Sequence, residues 1–167
     1  MTQSAAPEGA AAPTRDDIDA VTQLIGHAPG GGFAVVVRGT DGSPIVIAND
    51  PLFDDGTPMP TRYWLVDRDL RAAVSRLESE GGVRRAEGAV DAAAVAAAHE
   101  RYRAERDALM PPGHDGPAPS GGVGGTRQGV KCLHAHLAWW LAGGDDPVGG
   151  WVAEQLGLTR RDAAHLL

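Results

Sequence analysis

The chain has 167 residues, 22 acidic against 15 basic side chains for a formal charge of −7, and a single cysteine. That length is one domain's worth, and the acidic balance lacks the basic footprint that phosphate-backbone binding needs, which argues against nucleic acid as a partner. Cys132 has no partner for an intramolecular disulfide, no apolar run approaches the roughly 20 residues that cross a bilayer, and the N-terminus lacks a signal-peptide pattern; the sequence therefore points to the reducing cytoplasm and away from membrane insertion.

Residues 1–13 are mostly Ala, Pro, Gly and small polar groups, which cannot offset the entropy of ordering, and they read as a disordered tail. Thr14 with Asp16 and Asp17 forms an N-terminal helix signal, and Ile18, Val21, Leu24 and Ile25 then recur at helical spacing, so a first helix is expected over residues 15–25. Two β-branched runs, residues 33–37 and 45–47, flank Thr40, Asp41, Gly42 and Ser43 and predict a β-hairpin. Because both runs are almost wholly apolar, the sheet is expected to be covered on both faces or packed tightly under helices. A third strand is expected over residues 63–66, after a loop in which Pro58 and Pro60 forbid helix.

Asp67 caps a helix whose Leu70, Ala73, Val74 and Leu77 share one stripe and which should stop at Gly81 and Gly82. A longer helix is expected from Asp91 to Met110. Residues 111–129 hold seven glycines and four prolines, the composition of a mobile loop or lid. Helical periodicity returns over residues 130–142, and two short closing helices are expected over residues 151–156 and 160–167. Together these predict a single α+β domain over residues 14–167, with a small, mainly antiparallel sheet packed against several helices.

The segment Val130, Lys131, Cys132, Leu133, His134, Ala135 and His136 concentrates the chemistry. If it is helical, Cys132 and His136 share a face while His134 lies about 200° from Cys132, so Cys132 and His134 could not easily share a ligand; if it is a strand, all three point one way. The flanking leucines and tryptophans favour the helix. Lys131 and a helix N-terminus would favour a Cys132 thiolate, as a nucleophile requires, and although free cysteines are commonly buried and inert, Cys132 lies outside the Leu133 and Leu137 stripe and is expected to be accessible to alkylation. The glycine-rich stretch before it places exposed amides, Arg127 and Lys131 ahead of a helix, an arrangement able to hold an anion, although the Walker ending is absent. On the long helix His99, Tyr102 and Arg106 fall on one stripe. Asp54 and Asp55 could ligate a hard cation but are first of all turn residues.

Four segments carry a resemblance: Asp55 to Leu65, Ala98 to Tyr102 with Glu105, Arg106 and Asp107, Val130 to His134, and Asp146 to Gly149. In this order they resemble the bacterial, mainly actinobacterial family known as domain of unknown function 501. The resemblance implies gene neighbours similar to a septum-formation initiator and an exopolyphosphatase, and no known activity. This chain has Gly39 where relatives often carry a cysteine, and Asp146 where Asn is usual; with one cysteine, a four-thiolate site within one chain is ruled out. The sequence thus predicts an accessory protein that binds a small phosphate-type anion or a protein partner through Lys131, Arg127, Arg106 and Tyr102. The alternative is an enzyme or metal-binding protein that uses Cys132, His134 and His99, with no cofactor specified.

Overall fold

A computed structural model describes residues 10–159. Most of the expected tail over residues 1–13 and the expected helix over residues 160–167 lie outside the described residues.

The first helix, α1 (Arg15–Ile25), keeps the expected bounds because both ends are encoded locally. Thr14 and Asp17 exchange side-chain and backbone hydrogen bonds in a capping box, and Gly26 closes the helix at φ 84°. Asp17 also accepts two hydrogen bonds from the Arg38 guanidinium, at 2.7 and 2.9 Å, which tie α1 to the sheet. That guanidinium pulls the Asp17 carboxyl from its ordinary 3.8 down to about 2.

The sheet has the order β1 (Phe33–Arg38), β2 (Pro44–Asn49), β3 (Tyr63–Leu65), antiparallel throughout, with Val35 opposite Ile47 and Ala48 opposite Tyr63. Every residue of β2 is buried, as its unbroken apolar run requires. Alternation sends Ile47 to one face, where it meets Val21 of α1, Phe33 and Val66; Val46 and Ala48 face the larger core.

That larger core is closed by five more helices: α2 (Arg68–Ser79), α3 (Gly82–Ala89), α4 (Ala92–Asp107), α5 (Leu133–Leu141) and α6 (Pro147–Gln155). All residues of α5 except His134 are buried, and it packs on β3, α2 and α6. The α+β class and the antiparallel sheet match the expectation. Several boundaries differ; α4 ends at Asp107 rather than Met110, and three other differences matter more. Gly81, at φ 81°, does end the preceding segment, but Gly82 immediately opens α3, which the glycine pair concealed. Helix α6 begins at Pro147 rather than at 151, because the Asp146 carboxylate caps the Val148 and Gly149 amides and proline is tolerated in the first turn. Third, α5 starts at Leu133, three residues later than the periodicity predicts. Among the described residues no helix is long and apolar enough to cross a membrane.

Candidate functional site

The late start of α5 creates the site. Cys132 occupies the N-cap in extended geometry (φ −141°, ψ 110°) and its own side chain caps nothing. The capping is done from a distance: the Leu133 amide donates to Glu78 Oε1 of α2 at 2.8 Å, and the Val130 amide donates to Glu87 Oε1 of α3 at 2.9 Å. Two carboxylates from two other helices therefore hold residues 130–132 extended.

This geometry overturns the expectation that Cys132 and His134 stand about 200° apart. With Cys132 outside the helix, its Sγ comes to 3.9 Å from His134 Nδ1. The same Nδ1 lies 3.3 Å from Glu78 Oε1, and the other ring nitrogen, Nε2, lies 3.2 Å from both the Arg71 carbonyl and Ser75 Oγ. Burial pushes the Cys132 thiol up, but the hydrogen bonds from His134 and the Ala135 amide outweigh it, and the thiol ends below its ordinary value. His134 is held above its ordinary value, first by the Cys132 sulfur and further by the Glu78 charge, against burial.

Cys132 and His134 line a groove of about 810 Å³ between α2 and the sheet. Trp64 and Leu65 of β3, Ile25 and His27, and Arg68, Arg71 and Ser75 of α2 also line it. On α2, Arg68, Arg71, Ser75 and Glu78 fall at i, i+3, i+7 and i+10, within one arc of about 80°. The stripe runs from two guanidiniums to the carboxylate that touches His134. Arg71 spends one nitrogen on the Leu24 carbonyl at 2.9 Å, while the Arg68 side chain makes no hydrogen bond or ion pair with any described residue.

The other sequence-predicted residues are placed elsewhere. His99 is buried; its Nδ1 accepts from the Val123 amide at 3.0 Å and its Nε2 donates to the Gly129 carbonyl at 2.8 Å, so the ring spans the glycine-rich loop. Tyr102 accepts from the Arg62 amide at 2.6 Å, and burial pushes its phenol up to about 12. Arg106 is fully buried, bonded to Asp107 and to the carbonyls of Pro60, Pro119, Ser120 and Gly121. Arg127 lines a second, smaller hollow with His99 and Arg103, whereas Lys131 is exposed and borders neither hollow. His136 pairs at 2.7 Å with the buried Asp146. The structure therefore brings Cys132 and His134 together, and gives His99, Tyr102 and Arg106 internal partners. Asp55 accepts from the Thr57 amide at 2.9 Å, as a turn residue does. Arg68, Arg71, Ser75 and Glu78 were not singled out from sequence; the polar stripe opposite the apolar one on α2 was the only signal.

Residues 35–154 match the family described as "Protein of unknown function (DUF501)". The chain belongs to the DUF501 family. The DUF501 match takes in Glu78, Cys132, His134 and both groove arginines, while α1, Ile25 and His27 lie before it. Neither the curated proteins nor the solved structures contain a match to the chain.

Proposed function

We propose that this protein is a cytoplasmic accessory protein that holds a small oxyanion-bearing molecule, of the phosphate type, in the groove between α2 and the sheet. The observation that carries the proposal is the pairing of Arg68 and Arg71 in the groove of a chain that is otherwise acidic. A guanidinium without a partner among the described residues can form charge-assisted bonds to an oxyanion, and Trp64 offers an apolar surface for the rest of the ligand. A reducing compartment keeps the single thiol in the groove free.

Thermal unfolding with and without millimolar inorganic phosphate or pyrophosphate tests this. Ligand at about ten times its Kd adds roughly 1.4 kcal/mol by mass action, a rise of about 3–6 °C for a chain of this size. Arg68→Ala should remove most of the rise; an unchanged midpoint with both anions refutes the proposal. One further observation favours an enzymatic reading: a thiol 3.9 Å from an imidazole in a groove is the arrangement of a nucleophile with its base. A covalent adduct on Cys132, seen by mass spectrometry with an activated acyl phosphate, would support it.

A further inference from the structure

Both ring nitrogens of His134 face groups that can only accept. Nε2 meets the Arg71 carbonyl and Nδ1 meets the Glu78 carboxylate. A neutral imidazole carries one N–H, and Nε2 is the nitrogen with a carbonyl to receive it; Ser75 Oγ can adapt to either role. The Nδ1 lone pair then faces a carboxylate oxygen and the Cys132 sulfur, so that once the thiol proton is released three donor atoms of different kinds face one another. We infer that Glu78, Cys132 and His134 bind a divalent metal ion of the zinc class, with its remaining coordination position open to the groove.

The ligand atoms, Glu78 Oε1, Cys132 Sγ and His134 Nδ1, all lie within 4.8 Å of one another. Two of the separations are 3.3 and 3.9 Å. A tetrahedral zinc ion with bonds of about 2.0–2.3 Å places its ligands roughly 3.3–3.7 Å apart, so the two separations from His134 already fit to within a few tenths of an ångström, and the third, from Cys132 Sγ to Glu78 Oε1, closes by side-chain shifts of at most about an ångström. One sulfur, one nitrogen and one oxygen donor suit zinc, cobalt or iron(II) and not calcium or magnesium, which take oxygen alone. The outer contacts are also those of a metal site. The Arg71 carbonyl fixes the His134 tautomer, as a backbone carbonyl commonly does for a ligating histidine. The Leu133 amide occupies one lone pair of Glu78 Oε1 and orients the carboxylate while leaving another free. Three protein ligands with an exchangeable fourth position distinguish a working zinc site from a closed structural one, and here that position faces the groove where Arg68 and Arg71 wait for an anion.

The test uses full-length protein, reduced, stripped with chelator, and titrated with Co²⁺. The expected result is a thiolate-to-cobalt charge-transfer band and ligand-field bands of tetrahedral intensity that saturate at one equivalent and disappear when Zn²⁺ is added, with Zn²⁺ also protecting Cys132 from iodoacetamide. Cys132→Ser should abolish the charge-transfer band. His134→Ala and Glu78→Gln should each raise the Kd for Co²⁺ by more than about 10-fold, beyond the smallest losses seen for outer-shell partners. Glu78→Gln keeps an oxygen for the Leu133 amide, so a native circular dichroism spectrum separates lost ligation from lost fold. Absence of the bands with the thiol confirmed reduced overturns the inference. So does Co²⁺ affinity unchanged in His134→Ala and Glu78→Gln, which would mean binding to the thiol alone. Phosphate binding at Arg68 should persist in Cys132→Ser, so failure of the metal site and failure of the anion groove read out separately.

Discussion

Replacing Arg106 by Met should destabilise the protein by about 3–5 kcal/mol without changing its response to phosphate. The guanidinium has no exposed surface, and four carbonyls converge on it: Gly121 at 2.9 Å, Pro60 at 3.2 Å, Ser120 at 3.3 Å and Pro119 at 3.4 Å. Summing charge-assisted bonds would overstate the effect, because methionine also relieves the cost of burying the cation. What remains is the number of acceptors stranded. Ser120 is exposed and can turn to water, whereas Pro119 is buried and Pro60 and Gly121 are half-buried, leaving one stranded and two partly stranded acceptors, together roughly equivalent to two groups at about 1–3 kcal/mol each. For a chain of this size that lowers the midpoint by about 6–20 °C. Urea unfolding measures the change, and amide exchange over residues 120–126 should quicken, since Arg106 acts with His99 to hold the glycine-rich segment against α4. Arg103→Met, which among the described residues loses an ion pair with the exposed Glu100, is the control and should cost well under 1 kcal/mol. A loss below 1 kcal/mol in Arg106→Met, or loss of phosphate binding with stability intact, would refute this structural role.

Two further outcomes are specific. The depressed Asp17 carboxyl contributes stability in full above its unfolded value near 3.8, and that contribution is lost as the pH falls through its folded value of about 2; it amounts to about 2 kcal/mol. Wild type should therefore exceed Asp17→Asn by about this much at neutral pH, and the gap should narrow between pH 4 and pH 2; a gap independent of pH in that window rejects the ion pair as its source. Gly149→Ala in α6 should destabilise by about 1–3 kcal/mol, since a Cβ there would sit 2.5 Å from the His136 carbonyl and the Trp140 side chain, whereas Gly88→Ala in α3 meets nothing within 4 Å and should stabilise by about 0.5–1 kcal/mol. Paired thermal melts check the opposite signs.

Elements whose signals are local were legible in the sequence. Thr14 and Asp17 write both partners of a capping box within three residues, and α1 falls where they place it. The β-branched runs likewise located the sheet, because a strand buried on both faces is apolar along its whole length. Signals that arrive from elsewhere in the chain were not legible. The start of α5 is set by Glu78, 55 residues before Leu133, so periodicity alone extended the helix over Cys132 and turned its sulfur away from His134. The same distance hid the site: Cys132 and His134 stood out, but the carboxylate and the arginine stripe that complete their surroundings lie on α2, in a segment whose apolar spacing explained it well enough as a core helix. Arg106 and His99 were noticed as polar groups on one helical face, and nothing local shows that backbone carbonyls and amides are waiting for them.

The borrowed cap on α5 also bears on how the chain folds. A nine-residue helix is too short to persist alone in water, and this one lacks a capping side chain of its own, so it gains its first turn only after α2 has docked and delivered Glu78. That contact is long-range, and closing it early carries the entropy of the intervening loop. Docking of α2 against α5 and assembly of the Cys132 surroundings are therefore coupled through one contact. A chain caught before that step exposes an unpaired thiol next to unpacked tryptophans, the form most open to oxidation and aggregation, and any ligand that secures Glu78 to the α5 entrance shortens the time spent there.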